Sequence, residues 1–518
     1  MSFDSTSPAE VGRAPRRLLR GLAPALAVII LALPIATLIA RAAGLFSAEI
    51  LTHLVRTVIP PQVAQGALAA VGAASLGALL ALGGLATGLF DFPGRAALDR
   101  ALLAPLLLPT WFLAVVYREV FDARGATWLA LTLGVGAAPL FHLLGTAALR
   151  DIPSTYADVL RQSGRGHGLG AARHLGPLAL PALGSAAALA ALLAWSDAPS
   201  ARVLAVPTLA VGMLDQWSAR EDAATGALLG LVVAALSVLA AALVLAALSR
   251  LPLGDDARLG LSRGRRLPLQ GASALVPWLL AAPQIVLGVV VPARAIAVWS
   301  AARLDRVDLG TLGADAARTL LLALAGTALG ALLALPLLHA SSLAPRRWAS
   351  FTSALTLLSF ALPSTVLGAA VLWSIPGRGG PAALVHATLL PLVAALGVRF
   401  AAVFLGAGRA ALQRRGRDHL VLLRLLGHTG LSSFLGLLRP FLARPVAAAA
   451  AFVFLEILKD VHLTVLLAPF GFQSISARVF QLAQAERVRD CAVWMLCLAL
   501  VGIYPVMTLA RLGDTEPR

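Results

Sequence analysis

The stretch AATGALLGLVVAALSVLAAALVLAAL, residues 223–248, decides the fold class of this chain. It holds no charged residue, and it is longer than the roughly 20 residues that an α-helix needs to cross a bilayer. Runs of the same kind recur along the 518 residues. Hydrophobic residues make up 59% of the chain and charged residues 13%, against about half and about a quarter in soluble domains. We therefore expect an all-α polytopic membrane protein.

The apolar runs predict twelve membrane-spanning helices. They lie near 20–43, 65–90, 98–118, 128–149, 178–196, 223–248, 273–299, 316–340, 348–373, 382–406, 443–468 and 489–511. The Arg-rich N-terminus has no cleavage site after its apolar run, so we expect it to be a retained anchor whose basic end stays in the cytoplasm. An even number of spans then places the C-terminus on the same side.

The net charge of +17 is explained by this topology. Arginines cluster in the segments that the predicted orientation places in the cytoplasm, as the positive-inside bias requires. We therefore expect contact with membrane lipid and no nucleic-acid partner. The two cysteines, Cys491 and Cys497, both lie in the last apolar run and imply neither a disulfide framework nor a metal site.

The chain divides into two similar halves of six spans each. A polar, Arg-rich segment at 249–272 is typical of a cytoplasmic linker, so the predicted halves are 1–248 and 273–518. The third span of each half carries a matching proline, Pro109 in LLLPTWFLAVV and Pro363 in FALPSTVLGAAV. Proline inside a membrane helix frees a backbone carbonyl, which suits a helix that bends or lines a path, although a tolerated kink has the same signature.

A longer match joins the segments that follow the fourth span of each half. When residues 156–181 are shifted by 263 positions they fall without a gap on residues 419–444. The shift aligns three pairs of residues: Gly164 with Gly427, Pro177 with Pro440, and Asp197 with Asp460. Both segments lie on the predicted cytoplasmic side, so the two halves repeat the same segment at equivalent positions.

Each repeated segment is predicted to form a short helix, a turn at glycine and a second short helix. In the first copy Tyr156, Val159, Leu160 and Ser163 form one stripe, and Gly164 follows where the chain must reverse. One interpretation is a helix pair that lies on anionic lipid headgroups. The other is a docking surface for a two-fold partner, because a duplicated site matches a symmetric dimer.

The stretch DIPSTYADVLRQSG with the following GPLALP (151–164 and 176–181) resembles the cytoplasmic EAA loop of permeases in binding-protein-dependent ATP-binding-cassette (ABC) importers. In that pattern an acidic residue and two small residues precede a glycine, and a proline follows thirteen positions later. Asp158 takes the acidic position, and the glycines and prolines of both halves keep the spacing. The second copy has Val421 at the acidic position.

The resemblance implies a permease subunit with fused halves, similar to those for ferric iron and thiamine. Its partners would be a homodimeric ATP-binding subunit, which carries the ATP and magnesium, and an extracytoplasmic solute-binding protein; its location would be the bacterial inner membrane. Residues 456–493 are similar to the matching segment of ferric iron permeases, which makes ferric iron the expected solute. Thiamine, aminoethylphosphonate and polyamines are the alternatives.

The chain itself lacks the sequence signals of an enzyme. A phosphate-binding loop of the GxxxxGK[ST] type needs a lysine after glycine, but the one lysine, Lys459, follows leucine. No nucleophile motif is evident, and no histidine has ligand spacing to an acid or thiol, so we expect neither catalysis nor a cofactor nor a metal in this chain.

Four ionisable residues near span ends are candidates for the translocation path or its gate. Glu456, Lys459 and Asp460 have the spacing of one helix face, and Asp197 matches Asp460 in the other half. Such charges face a water-filled cavity or lie at the membrane edge. An ion-coupled secondary transporter is the main rival, but it would place more paired charges in mid-span; a membrane-embedded enzyme would need a catalytic cluster.

Overall fold

The computed structural model describes residues 13–44, 47–150, 152, 154–163, 170–216, 223–249, 266–343, 346–375, 381–412 and 441–514. This part of the chain is almost entirely helical, and its strands are two short segments, Phe90–Asp91 (β1) and Leu267–Pro268 (β2). β1 and β2 pair in parallel, which ties the end of the predicted linker to the first half. The all-α class is confirmed.

The helices before the predicted linker are numbered α1 to α11. They are α1 (Arg13–Gly44), α2 (Ala48–Leu80), α3 (Leu82–Leu89), α4 (Arg95–Leu107), α5 (Thr110–Phe121), α6 (Ala126–Arg150), α7 (Ser154–Gln162), α8 (Gly170–Trp195), α9 (Ala198–Val203), α10 (Leu209–Leu214) and α11 (Ala223–Ser249). The first turn of α2 is capped by Ser47, whose hydroxyl accepts from the Ile50 amide at 3.4 Å.

The helices after the predicted linker are numbered α12 to α21. They are α12 (Gly271–Ala301), α13 (Leu309–Leu343), α14 (Arg346–Ala361), α15 (Ser364–Ser374), α16 (Pro381–His386), α17 (Leu390–Ala411), α18 (Ala443–Leu458), α19 (His462–Leu467), α20 (Ile475–Gln484) and α21 (Ala492–Asp514). Ser474 caps α20, since its hydroxyl accepts from the Ala477 amide at 3.2 Å.

Nine helices of the described ranges are long and apolar enough to cross a membrane, and the number is up to eleven if each of two bent helix pairs counts as one span. Large apolar side chains stay exposed along them, among them Leu22, Ile29 and Leu79, as expected for surfaces that face lipid. The chain is therefore a polytopic membrane protein. The predicted continuous span 443–468 is wrong, because its helix ends at Leu458 and α19 starts at His462.

Both matched prolines break their helices completely. α4 and α5 meet at 90° around Pro109, and α14 and α15 meet at 106° around Pro363. Leu108, before the first proline, has an extended backbone, as steric contact with a proline ring favours. The predicted bends are confirmed, whereas the continuous spans 98–118 and 348–373 are wrong.

The element bounds repeat along the chain. The main part of α8, Leu180–Trp195, begins and ends 263 residues before α18, Ala443–Leu458. In each case a short helix follows after an acid-containing break, α9 in the first copy and α19 in the second. Proline-broken helix pairs precede both copies.

The first long helix on each side of the linker packs against the other side. Thr37 of α1 donates to the carbonyl oxygen of Ala370 in α15 at 3.0 Å. Conversely, Gln284 of α12 donates to the Val135 carbonyl oxygen at 2.9 Å, and the Tyr117 hydroxyl donates to the Leu287 carbonyl oxygen at 2.9 Å. The two predicted halves therefore share one helical assembly.

Candidate functional site

A charged cavity of about 170 Å³ lies where the broken helices meet. Its wall comes from residues 105–199 and from residues 360–462, so both predicted halves contribute. Five of the six residues predicted for a path or gate line it: Pro109, Asp197, Glu456, Lys459 and Asp460. The sixth, Pro363, does not line the cavity, but the next residue, Ser364, does.

Asp197 fixes the first-half wall of this cavity. One carboxylate oxygen accepts from the Thr110 hydroxyl at 2.7 Å, and the other accepts from the Ser200 amide at 2.8 Å. The second bond caps α9, because an aspartate at the N-cap satisfies an amide that the helix leaves unpaired. The first bond joins this cap to α5, directly after the break at Pro109.

Asp460 has the equivalent position in the second-half wall. Its Oδ2 accepts from the amide of Thr464 at 3.1 Å and from the hydroxyl of Thr464 at 3.3 Å, so it holds the start of α19. The prediction that Asp460 shares a helix face with Glu456 and Lys459 is wrong. The chain leaves the helix after Leu458, and the carboxylate satisfies amides of the next helix instead.

Glu456 and Lys459 form the ion pair that their spacing predicts. The Lys459 ammonium lies 2.5 Å from Oε1 of Glu456, and the side chains are 12% and 25% exposed. Because the pair is largely removed from water, each charge depends on the other.

Arg399 is the cavity residue that the sequence analysis missed. It lies in the middle of α17 and is buried, with its guanidinium donating to the Leu362 carbonyl oxygen at 2.9 Å. That carbonyl is left without a helical partner by the break at Pro363. The guanidinium also lies 5.9 Å from the ring centroids of Phe360 and Phe400. As the one charge in a long apolar run, Arg399 was a visible signal.

An aromatic contact joins the wall of this cavity to the wall of a second one. Trp111, in the wall of the first cavity, meets Phe480 of α20 edge to face, with ring centroids 5.7 Å apart. Phe480 lines a cavity of about 420 Å³ whose charged residues are Arg118, Glu119, Arg202 and Glu486. The buried Nε1 of Trp111 has no hydrogen-bond partner among the described residues. Trp111 and Phe480, here called the aromatic seal, each line one of the two cavities, and their rings are in contact.

The predicted loop residues are only partly described. α7 forms where the first short amphipathic helix was predicted, and Asp158, Tyr156 and Val159 on it are exposed. Pro177 lies in the first turn of a 3₁₀ segment that leads into the main part of α8, as a proline that opens a span should. Gly164, Gly427 and Pro440 lie outside the described residues.

The described residues include no group of three or more His, Cys, Asp or Glu side chains that could hold a metal ion.

Comparison with known proteins identifies no relative: no family model, no curated protein and no solved structure matches the chain.

Proposed function

We propose that this chain is the membrane-spanning permease subunit of an ATP-driven importer. The observation that carries the proposal is the charged cavity, in which a proline break and a helix start bonded to an aspartate come together from each predicted half. Helices that end in mid-membrane present polar backbone groups, which need a polar cavity or a solute as partner. Such a cavity suits a solute that is released from its water shell.

The full architecture of the proposal is twelve spans in two pseudo-symmetric six-helix halves. The equal 263-residue offset at both ends of Leu180–Trp195 and Ala443–Leu458 supports it. The two proline breaks support it as well, because they occur once in each half. In this arrangement α8 and α18 are the fifth spans, and both termini lie in the cytoplasm.

The energy source is a separate ATPase dimer that docks on the two EAA-type loops. The apolar side chains of Tyr156 and Val159 on α7 support a docking surface, since the described part of the chain leaves both exposed. Lys459 cannot serve a phosphate loop in this chain, because it is paired with Glu456 inside the membrane cavity. The chain is then a transport subunit and no enzyme, with ATP and magnesium held by the partner.

The solute is proposed to be ferric iron, delivered by an extracytoplasmic binding protein to a bacterial inner-membrane importer. The support is the resemblance of residues 456–493, which in the structure form α19, α20 and part of the cavity wall. Three acidic side chains, Asp197, Glu456 and Asp460, line the cavity against two basic ones, Arg399 and Lys459. The excess of one negative charge suits a cationic solute. Thiamine, aminoethylphosphonate and polyamines remain the alternatives within the same architecture.

An ion-coupled secondary transporter is the second candidate, and Arg399 is the observation that favours it. A buried guanidinium in mid-span beside Asp460 and Glu456 is the kind of charge set that couples a solute to an ion. The exposed loop helix α7 and the repeat of its segment favour the ATP-driven importer, since a secondary transporter has no need of two matched docking loops.

Co-purification with a defined stoichiometry tests the proposal. The tagged chain, extracted from its own organism in mild detergent, is expected to bring down an ATP-hydrolysing subunit at two copies per chain, because the fused halves carry two docking loops. A matched control replaces Tyr156 and Val159 with aspartate, which should lower the amount of ATPase below two copies per chain without unfolding the exposed helix. A chain that purifies with no ATPase, or a control variant that retains both copies, would contradict the proposal.

A further inference from the structure

A buried carboxylate, Asp99, gathers four hydrogen-bonding side chains at the far end of α4 from the central cavity. Its Oδ1 accepts from the Thr87 hydroxyl and lies 3.2 Å from Nε2 of His142. Its Oδ2 lies 3.3 Å from Nη1 of Arg95 and 3.3 Å from Nη2 of Arg150. Asp99 is only 6% exposed, so this carboxylate depends on these partners for its stability.

The four partners come from three different helices. Thr87 lies on α3, Arg95 on α4 itself, and His142 and Arg150 on α6. A close approach makes this possible, because a Cβ at Gly84 would lie 2.5 Å from Nδ1 of His142. Removing the carboxylate would therefore remove the polar contact that α3, α4 and α6 share at this point.

The network stands next to the loop that is proposed to receive the ATPase. Arg150 is the last residue of α6, and the loop helix α7 begins at Ser154. Only three residues separate the two helices, so the backbone provides a short route from α7 to Arg150, whose guanidinium contacts Asp99. A buried ion pair resists separation, because each charge left alone would be poorly solvated.

The same helix that carries Asp99 ends at the cavity. α4 runs from Arg95 to Leu107, Pro109 follows, and Thr110 at the start of α5 donates to Asp197 in the cavity wall. A helix is stiff over this length, so a movement of its Asp99 end reaches the proline break. From Arg150 to Asp197 the connection thus consists of the contact with Asp99, the backbone of α4 and the Thr110 hydrogen bond.

At the aligned sequence positions the second half has no carboxylate. The matched prolines, Pro109 and Pro363, are 254 residues apart, and that offset places Ser353 at the position of Asp99. The 263-residue offset places Leu405 and Gln413 at the positions of His142 and Arg150. In that half Arg409 donates instead to the Thr352 hydroxyl at 2.8 Å and to the Ala349 carbonyl oxygen at 2.7 Å. The acid is thus present on the same half as Asp158 and missing on the half with Val421.

We propose that Asp99 is a positioning residue that transmits movement of the first coupling loop to the cavity, and that the first half transmits it more strongly than the second. This inference rests on the proposed importer function. It predicts that ATP hydrolysis and opening of the cavity become separable when the carboxylate is neutralised.

The test follows access to the cavity with a thiol probe, so that it requires no knowledge of the solute. Ser364, in the cavity wall, is replaced by cysteine in a chain whose Cys491 and Cys497 are alanine. The intact complex with its ATPase is placed in liposomes, and the rate of labelling by a small methanethiosulfonate reagent is measured with and without ATP. In the complex with an unmodified Asp99 network, the labelling rates with and without ATP should differ by about tenfold, a size typical of coupling between two sites.

In Asp99→Asn the nucleotide dependence of labelling should be lost while ATP hydrolysis continues. Arg150→Gln is the second variant, for use if Asp99→Asn fails to fold. It removes only the ion pair nearest the loop, it lies at a helix end, and it should cause the same loss. Asp315→Asn is the matched control, because Asp315 is also a buried acid, paired with Arg478, but lies on α13, outside the Asp99 network. It should retain the nucleotide dependence.

Two outcomes would overturn the inference in different ways. If the unmodified complex labels equally fast with and without ATP, the proposed importer function fails and the inference fails with it. If the unmodified complex responds to ATP and both Asp99→Asn and Arg150→Gln respond equally well, the importer function stands and the role of Asp99 is refuted.

Discussion

The packing of α12 against the first half can be tested at Gly83, where the structure leaves no room for a side chain. A Cβ at this position would lie 2.4 Å from the Ala281 amide nitrogen, 2.6 Å from the Pro277 carbonyl oxygen and 2.7 Å from the Ala281 Cβ. Two of these atoms belong to the backbone, so rotation of a side chain cannot relieve the overlap. In Gly83→Ala, α12 must shift by at least about 0.6 Å to bring the shortest contact to 3.0 Å.

The expected cost is that of overpacking a well-filled site, about 1–3 kcal/mol. The assay is thermal unfolding of the purified protein in a fixed detergent, in which Gly83→Ala should lower the Tm by a few degrees. Gly313→Ala is the matched control, because that glycine is also helical but a Cβ there meets nothing within 4 Å. It should be neutral or stabilising by up to about 1 kcal/mol, since alanine is the better helix former. A Gly83→Ala protein as stable as the unmodified chain would refute the crossed packing of α12.

Three further predictions concern the cavity and the loops. Thr110→Val should weaken transport, because it removes a hydrogen bond to a charged group that is worth about 1.5–3 kcal/mol. Its effect on the initial uptake rate should not add to that of Asp197→Asn, and additive losses would contradict the hydrogen bond. Trp111→Ala should open the aromatic seal and raise passive ion leak through liposomes, so a current equal to that of the unmodified protein would count against a seal. Asp158→Ala should reduce ATP-driven uptake more than Val421→Ala, and equal effects would remove the asymmetry between the loops.

The apolar runs predict most of the fold because hydropathy and length alone decide which segments enter a bilayer. The breaks within the runs depend on competition between hydrogen bonds. Pro109 and Pro363 were recognisable as weak points, since proline lacks an amide hydrogen. The break after Leu458 was missed, because the sequence allows two positions for Asp460. It could continue the helix and pair with Lys459, or leave the helix and accept from the Thr464 amide at the start of α19, as it does.

The residues of the cavity were predicted better than their arrangement. The 263-residue repeat links Asp197 with Asp460, and both line the cavity. Arg399 and Asp99 were missed, since each depends on groups distant in sequence that only the fold brings near, such as the Leu362 carbonyl for Arg399 and Arg150 for Asp99. The packing of α1 and α12 against the opposite halves was not predicted either. It depends on close contacts between distant segments, such as that at Gly83, which no local sequence pattern encodes.

The dependence of uptake on ATP tests the central claim most directly. The chain is reconstituted with its co-purified ATPase and binding protein, and uptake of ferric iron, thiamine, aminoethylphosphonate and a polyamine is measured against the same ATP supply. The account predicts uptake of one of these solutes that requires ATP on the ATPase side and continues in the presence of a protonophore. Uptake that persists without ATP and is abolished by the protonophore would contradict it.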